Sequence, residues 1–136
     1  MSARTVFLSR LMGLYLILIS LAMMTHKQAT VESMNALVHN APVLFVVGVV
    51  AVAAGLAMVL GHNVWSGGVV PVVVTLAGWL VLIKGSTLLF LSPEAVYGTL
   101  LAGFHFNQLF YLYIGTVLVV GICLTYAGFR ADGRSR

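Results

Sequence analysis

Four long apolar runs are the feature that most constrains the fold of this chain. Each is about 20 residues long, which is the length that an α-helix needs to cross roughly 30 Å of hydrocarbon. The runs cover residues 6–24, 41–60, 70–91 and 109–129. Only 7% of the 136 residues are charged, far below the roughly 25% of an average soluble domain. The sequence therefore predicts an all-α integral membrane protein with four transmembrane helices.

The connections between the runs divide this single membrane domain into two helix-connection-helix hairpins. We expect the first hairpin to cover residues 1–60 and the second to cover residues 69–136, with a linker at 61–68. The other two connections, 30–39 and 92–104, bring apolar residues to one helical face, which predicts short helices lying in the outer membrane interface. The first run has no small-residue cleavage site, so we interpret it as a membrane span and not as a removed signal peptide.

The two hairpins also resemble each other. The stretches 11–20 and 76–85 match in hydropathy and in the position of a glycine, and so do the stretches 45–50 and 112–117. The offsets of these matches are 65 and 67 residues, and self-similarity at a nearly constant offset is typical of a repeat. The sequence therefore predicts an internal repeat.

Positive charge collects at one side of the predicted membrane domain. Five arginines precede or enter the first span or follow the fourth: Arg4, Arg10, Arg130, Arg134 and Arg136. The opposite side carries only Lys27 close to a span. Because loops rich in lysine and arginine stay in the cytoplasm, we expect both termini to be cytoplasmic. The net charge of +4 is then an orientation signal and does not indicate a nucleic-acid partner.

Small residues indicate which helix faces pack together, because backbones approach closely where side chains are short. They form stripes on all four spans: Ser9, Gly13 and Ser20; Gly48, Ala51 and Gly55; Gly78 and Gly85; and, less regularly, Gly115 and Gly121.

The linker "GHNVWSGG" is polar between two very apolar runs. Trp65 suits a headgroup interface, and Gly61, Gly67 and Gly68 permit a chain reversal. Asn63 and Ser66 are candidates to cap the flanking helix ends. Together with Trp79 of the third span, residues His62, Asn63 and Trp65 are candidate interaction residues.

Lys84 places an ammonium group inside the third span. One interpretation is a long side chain that reaches headgroups or water. The alternative is a charge that faces the bundle interior and pairs with Glu32 or Glu94 of the outer connections. The sequence leaves both open.

Histidines near the outer ends of the spans suggest a ligand site. His26, His39 and His105 with Glu94 are a candidate metal site, and His39, His105 and Lys84 are candidates for binding a cofactor such as quinone or haem. No pair of these residues has a diagnostic spacing. Histidines that bond to water or headgroups explain the same positions, so we expect no cofactor as the simpler interpretation.

The stretch from the linker to Lys84 resembles a group of small, mostly uncharacterised bacterial inner-membrane proteins. These share a His-Asn-x-Trp turn, here residues 62–65, a Gly-Trp-Leu helix, here residues 78–80, and a Lys-Gly pair, here Lys84 and Gly85. The helix-connection-helix repeat is also similar to the small-residue patterns of HdeD-type acid-resistance membrane proteins. The resemblance implies four spans in a bacterial inner membrane, and it implies no catalytic residue.

Two functional hypotheses follow from the sequence. The first is a non-enzymatic accessory or scaffold protein that packs against other membrane helices or associates with itself. It rests on the small-residue stripes and on the lack of any nucleophile–base pair or phosphate-binding loop. The second is a membrane protein that handles a cofactor or ion through the outer histidines, Glu94 and Lys84.

Overall fold

A computed structural model describes residues 2–98, 105 and 108–132 of the chain. Within these ranges the secondary structure is helical: α1 (Ala3–Thr25), α2 (Lys27–His39), α3 (Ala41–Gly61), α4 (Val69–Phe90), α5 (Pro93–Val96) and α6 (Phe110–Asp132). The helices α1, α3, α4 and α6 are long and apolar enough to cross a membrane. The four long apolar helices predicted as spans are confirmed, and their ends differ from the predicted ones by at most a few residues.

Polar side chains mark where several helices begin. The Ser2 hydroxyl accepts the Thr5 N–H at the start of α1, and the Asn40 side chain accepts the Val43 N–H at the start of α3. Such caps satisfy backbone N–H groups that have no partner within the helix. Ser92 caps α5 in the same way, as its Ser-Pro-Glu sequence predicts. The rest of the helix predicted at 92–104 lies mostly outside the described residues.

Helices α3 and α4 pack through glycines contributed by both. A β-carbon on Gly55 would lie 2.6 Å from the backbone nitrogen of Leu82, and one on Gly85 would lie 2.7 Å from the backbone nitrogen of Val52. The order of these contacts along the chain shows that the two helices run antiparallel. The absence of side chains at these points is what lets the two backbones approach.

Helices α1 and α6 form a second antiparallel pair of the same kind. A β-carbon on Gly13 would lie 2.6 Å from the backbone nitrogen of Thr125 and 2.8 Å from the carbonyl oxygen of Gly121. Further along the interface, one on Gly128 would lie 2.9 Å from Cγ of Arg10. This close approach joins the first and last spans of the chain.

Most of the predicted small-residue stripes are confirmed as packing faces. The following members of those stripes are buried: Ser9, Gly13, Ser20, Gly48, Gly55, Gly78, Gly85 and Gly121. Gly115 is the exception, because a β-carbon there would meet no atom within 4 Å. Gly128, which the sequence pattern does not single out, occupies the α1 interface instead.

The helix contacts join spans from different predicted hairpins. Helix α1 packs mainly against α6 and α3 mainly against α4, while α1 and α4 make a smaller contact. The division into hairpins 1–60 and 69–136 and the internal repeat stay predictions. We call the end of the bundle that holds residues 62–68 the turn end, and the end that holds α2 and α5 the connection end.

The short helices pack over the connection end. Helix α2 contacts α3 and α5, and it begins three residues before the predicted stretch 30–39. Four buried apolar residues, one from each of α2, α3, α4 and α5, form a small core there: Val38, Leu44, Leu88 and Val96. The location of α2 in the membrane interface stays a prediction.

Candidate functional site

The turn at residues 62–68 is fixed to α4 by a single hydroxyl. The Thr75 hydroxyl oxygen accepts the backbone N–H of Val64 at 3.0 Å. It also lies 3.0 Å from the carbonyl oxygen of Val64 and 3.4 Å from that of His62, and it donates its proton to one of them. Thr75 is buried, so these bonds are shielded from competing solvent. The sequence did not point to Thr75. The one signal it offers is a hydroxyl residue in the second turn of an apolar helix.

His62 is enclosed by the turn that Thr75 holds. Its backbone N–H donates to the carbonyl oxygen of Met58, which ends α3. The side chain is only 3% exposed, and its Nε2 atom has no hydrogen-bond partner. A buried polar atom without a partner carries a desolvation penalty. His62 is therefore part of the folded turn and does not present its ring on the surface.

The predicted capping roles of Asn63 and Ser66 are wrong. His62 follows the last residue of α3, and Gly68 precedes the first residue of α4 without a side-chain cap. The Asn63 side-chain oxygen instead accepts the indole N–H of Trp65 at 2.7 Å. That bond holds an exposed tryptophan at the turn end, as expected for a headgroup anchor.

Two of the three linker glycines have the predicted role, whereas Gly61 is the last residue of α3. Gly67 has a φ of 90° and Gly68 a φ of 119°, which are angles that residues with a side chain rarely adopt. They allow the chain to reverse between two long helices.

At the connection end the structure brings His39, Tyr97 and Glu94 together. The His39 ring lies 5.5 Å from the Tyr97 ring between centroids, and its Nδ1 is 2.7 Å from the carbonyl oxygen of Asn35. The pKa of Glu94 is lowered, because its own backbone N–H and the Ser92 hydroxyl donate to the carboxylate and His39 adds a smaller electrostatic contribution. The side chains of this cluster are exposed to solvent, and Asn35 is partly buried.

The remaining candidate ligands are not in that cluster. His26 precedes α2 and His39 is its last residue, so the helix separates them by roughly 20 Å. His105 lies exposed in a turn before α6, with a positive φ of 47°. Among the residues that the structure describes, no group of three histidine, cysteine or acidic side chains could hold a metal ion.

Lys84 points away from the α3–α4 interface. Its neighbour Gly85 is buried against α3, whereas Lys84 is exposed on the surface of the bundle. Within the described ranges it makes no ion pair with Glu32, Glu94 or any other carboxylate. The alternative in which Lys84 faces the interior and pairs with an outer carboxylate is therefore not the arrangement found. Trp79, which is 37% exposed, lies on the same helix.

Arg10 is a second residue whose role the sequence analysis missed. Its Nε donates a hydrogen bond to the Gly128 carbonyl oxygen, and its guanidinium lies 4.5 Å from the centre of the Phe129 ring. The sequence pattern indicates Arg10 only as a positive charge that orients the first span. In the structure it also connects α1 to α6.

Comparison of the chain with protein-family models, with curated proteins and with solved structures finds no match. The functional conclusions below therefore rest on the residues and their geometry.

Proposed function

We propose that this chain is a non-enzymatic, multi-pass membrane protein that serves as an accessory or scaffold subunit by packing against other membrane helices. The observation that carries the proposal is Lys84, a charged residue on the outward surface of a membrane-spanning helix. We also propose a bacterial inner membrane, which the resemblance of residues 62–85 implies. Both termini would lie in the cytoplasm, because Arg4 and Arg10 lie in the first half of α1 and Arg130 lies near the end of α6.

The position of Lys84 sets its energetic cost. It lies six residues before Phe90, the last residue of α4, which corresponds to about 9 Å along the helix axis. A charge at that depth is unfavourable unless its ammonium group meets water, a phosphate or an acceptor from another chain. The described part of this chain supplies no carboxylate to it. An acidic or amide side chain on a neighbouring membrane helix would satisfy it.

The surroundings of Lys84 suit a helix partner. Leu80, one turn earlier on the same face, is 67% exposed, and none of the helices that the structure describes covers it. A partner helix that lies along α4 would contact the apolar side chain and the ammonium group together. Polar contacts between helices within a membrane are worth about 0.6–2 kcal/mol each, enough to select a partner when apolar packing supports them.

Photocrosslinking in the native membrane tests this proposal. A photoreactive amino acid at Leu80 should capture a membrane protein or a second copy of the chain. The matched control is the same amino acid at Val119, which is 59% exposed on α6, the helix that packs against α1. Lys84→Met should abolish the product, whereas Lys84→Arg should keep it. An identical pattern at both sites, or a product that survives Lys84→Met, would contradict the proposal.

A second candidate function is the handling of a cofactor or ion at the connection end, with Lys84 as an additional ligand group. The proximity of His39, Tyr97 and Glu94 favours it. The purified protein would then carry a bound metal, haem or quinone. Its absorption spectrum, metal content and extractable quinone should change with His39→Ala and His105→Ala. A colourless, metal-free and quinone-free protein would remove this candidate.

A further inference from the structure

A groove between α1 and α3 opens at the turn end of the bundle. It encloses about 270 Å³ between the first turns of α1 and the last turns of α3. Six residues line it: Arg4, Phe7, Leu8, Ala57, Met58 and Gly61. Sites that enclose a whole ligand usually have about 300–1,000 Å³. This groove is therefore large enough for part of a molecule whose remainder stays outside.

The lining of the groove combines one charged residue with an apolar remainder. Arg4 supplies the one charged group, and the other five residues are apolar. Arg4 is the second residue of α1, so it lies where that span meets the membrane surface. Phe7 and Leu8 continue from it along the span. An occupant that matches this order has an anionic group at the surface and an apolar chain directed into the membrane.

The contacts of the Arg4 side chain also favour an anionic occupant of the groove. Within the described ranges, its guanidinium makes no hydrogen bond, ion pair or ring contact with the protein. The two other described arginines are engaged, since Arg10 bonds to Gly128 and Arg130 lies 3.3 Å from the Tyr126 hydroxyl. Arg4 lines the groove while its donors have no partner in the described part of the chain, and a guanidinium matches a phosphate with two parallel hydrogen bonds.

We propose that this groove binds an anionic phospholipid, with the phosphate at Arg4 and part of one acyl chain against Phe7, Leu8 and Met58. Basic pockets between membrane helices are known to bind acidic headgroups in this manner. The lipid would contact both helix pairs at a place where α1 and α3 themselves touch little. It would therefore act as a bridge between the α1–α6 pair and the α3–α4 pair.

Thermal unfolding of the full chain in detergent tests the proposal. Added phosphatidylglycerol should raise the unfolding midpoint in a saturable manner, because a ligand that binds the folded state stabilises it. Phosphatidylcholine and inorganic phosphate should have little effect at the same concentrations. Arg4→Gln should weaken the apparent affinity about tenfold or more, since it removes hydrogen bonds from a charged donor. Arg4→Lys should lie between the two.

A second pair of variants tests the apolar part of the groove. Ala57→Phe should fill the groove and abolish the phosphatidylglycerol effect, whereas Leu56→Phe, at an exposed position that does not line the groove, should preserve it. Equal effects of phosphatidylglycerol and phosphatidylcholine, or an unchanged affinity in Arg4→Gln, would overturn the proposal. If inorganic phosphate alone reproduces the shift, the groove binds a free anion and not a lipid. If Ala57→Phe fails to fold, the Arg4 series alone decides.

Discussion

The Nε atom of Arg10 donates a hydrogen bond of 3.1 Å to the backbone carbonyl oxygen of Gly128. A helix carbonyl can accept this second bond only where the neighbouring helix approaches closely, and the missing side chain of Gly128 provides that approach. The bond connects the first and last spans of the chain. Arg10 is thus a packing residue as well as a positive charge near a terminus.

Removing this contact should destabilise the protein. We expect Arg10→Gln to lower the free energy of unfolding by about 1–3 kcal/mol, because it removes a charge-assisted hydrogen bond and the stacking on Phe129. Reversible unfolding in mixed micelles measures the difference. Arg4→Gln is the matched control, and in lipid-free detergent it should leave stability unchanged. Equal stabilities of the two variants would show that the Arg10 contact contributes nothing.

Substitution of a glycine at the α1–α6 interface by alanine should destabilise the protein, whereas the same substitution outside the interface should not. Gly13→Ala should destabilise the fold by more than about 1 kcal/mol, because the added methyl meets backbone atoms of α6 and forces the helices apart. Gly115→Ala meets open space and should be neutral or stabilising by up to about 1 kcal/mol through helix propensity. Unfolding curves of both variants check the contrast. A Gly13→Ala protein as stable as the wild type would place the close approach elsewhere.

The turn at 62–68 should depend on one hydroxyl. Thr75→Val keeps the shape of the side chain but leaves the Val64 N–H without its acceptor, so we expect a loss of about 1–3 kcal/mol. Thr75→Ser retains the hydroxyl and should recover most of that loss. Limited proteolysis within residues 62–68, measured together with stability, reports on the turn itself. Similar behaviour of the valine and serine variants would mean that the hydroxyl does not hold the turn.

The contribution of the Glu94 carboxylate to stability should depend on pH only in acid, where it is lost. Its pKa in the folded protein lies below the ordinary value of 4.5, so its contribution is fully present above that value and is lost as the pH falls through the folded pKa. The stability difference between the wild type and Glu94→Gln should therefore be constant from about pH 6 to pH 8 and shrink in acid. A difference that varies with pH around neutrality would point to another titrating group. Repeating the series in His39→Ala separates the contribution of that ring.

Much of the fold could be predicted because the membrane limits what an apolar run can do. A run such as residues 41–60 must form a helix to satisfy its backbone hydrogen bonds in lipid. Its length then fixes the span. Burial of Gly13 and Gly55 could likewise be predicted, because close helix packing in lipid needs short side chains.

The pairing of the helices could not be predicted. Glycine stripes show which face of a helix is in contact but do not show which helix it meets, and apolar spans offer few distinguishing side chains. The contact of Arg10 with Gly128 joins residues 118 positions apart, and that of Thr75 with Val64 joins residues 11 positions apart in a helix and a turn. No local pattern indicates either contact. The burial of His62 could not be predicted either, because a histidine close to a tryptophan and glycines is typical of an exposed turn.

The pairing of α1 with α6 has a consequence for biogenesis. Arg10 and Gly128 are separated by 118 positions, so at about 5–20 residues per second the ribosome needs roughly ten seconds after making the first before it makes the second. During that interval α1 lacks α6, its main neighbour, whereas α3 and α4 can pack against each other as soon as both have been made. Assembly of this protein therefore ends where its synthesis began, because the first span gains its main neighbour only when the last one is made.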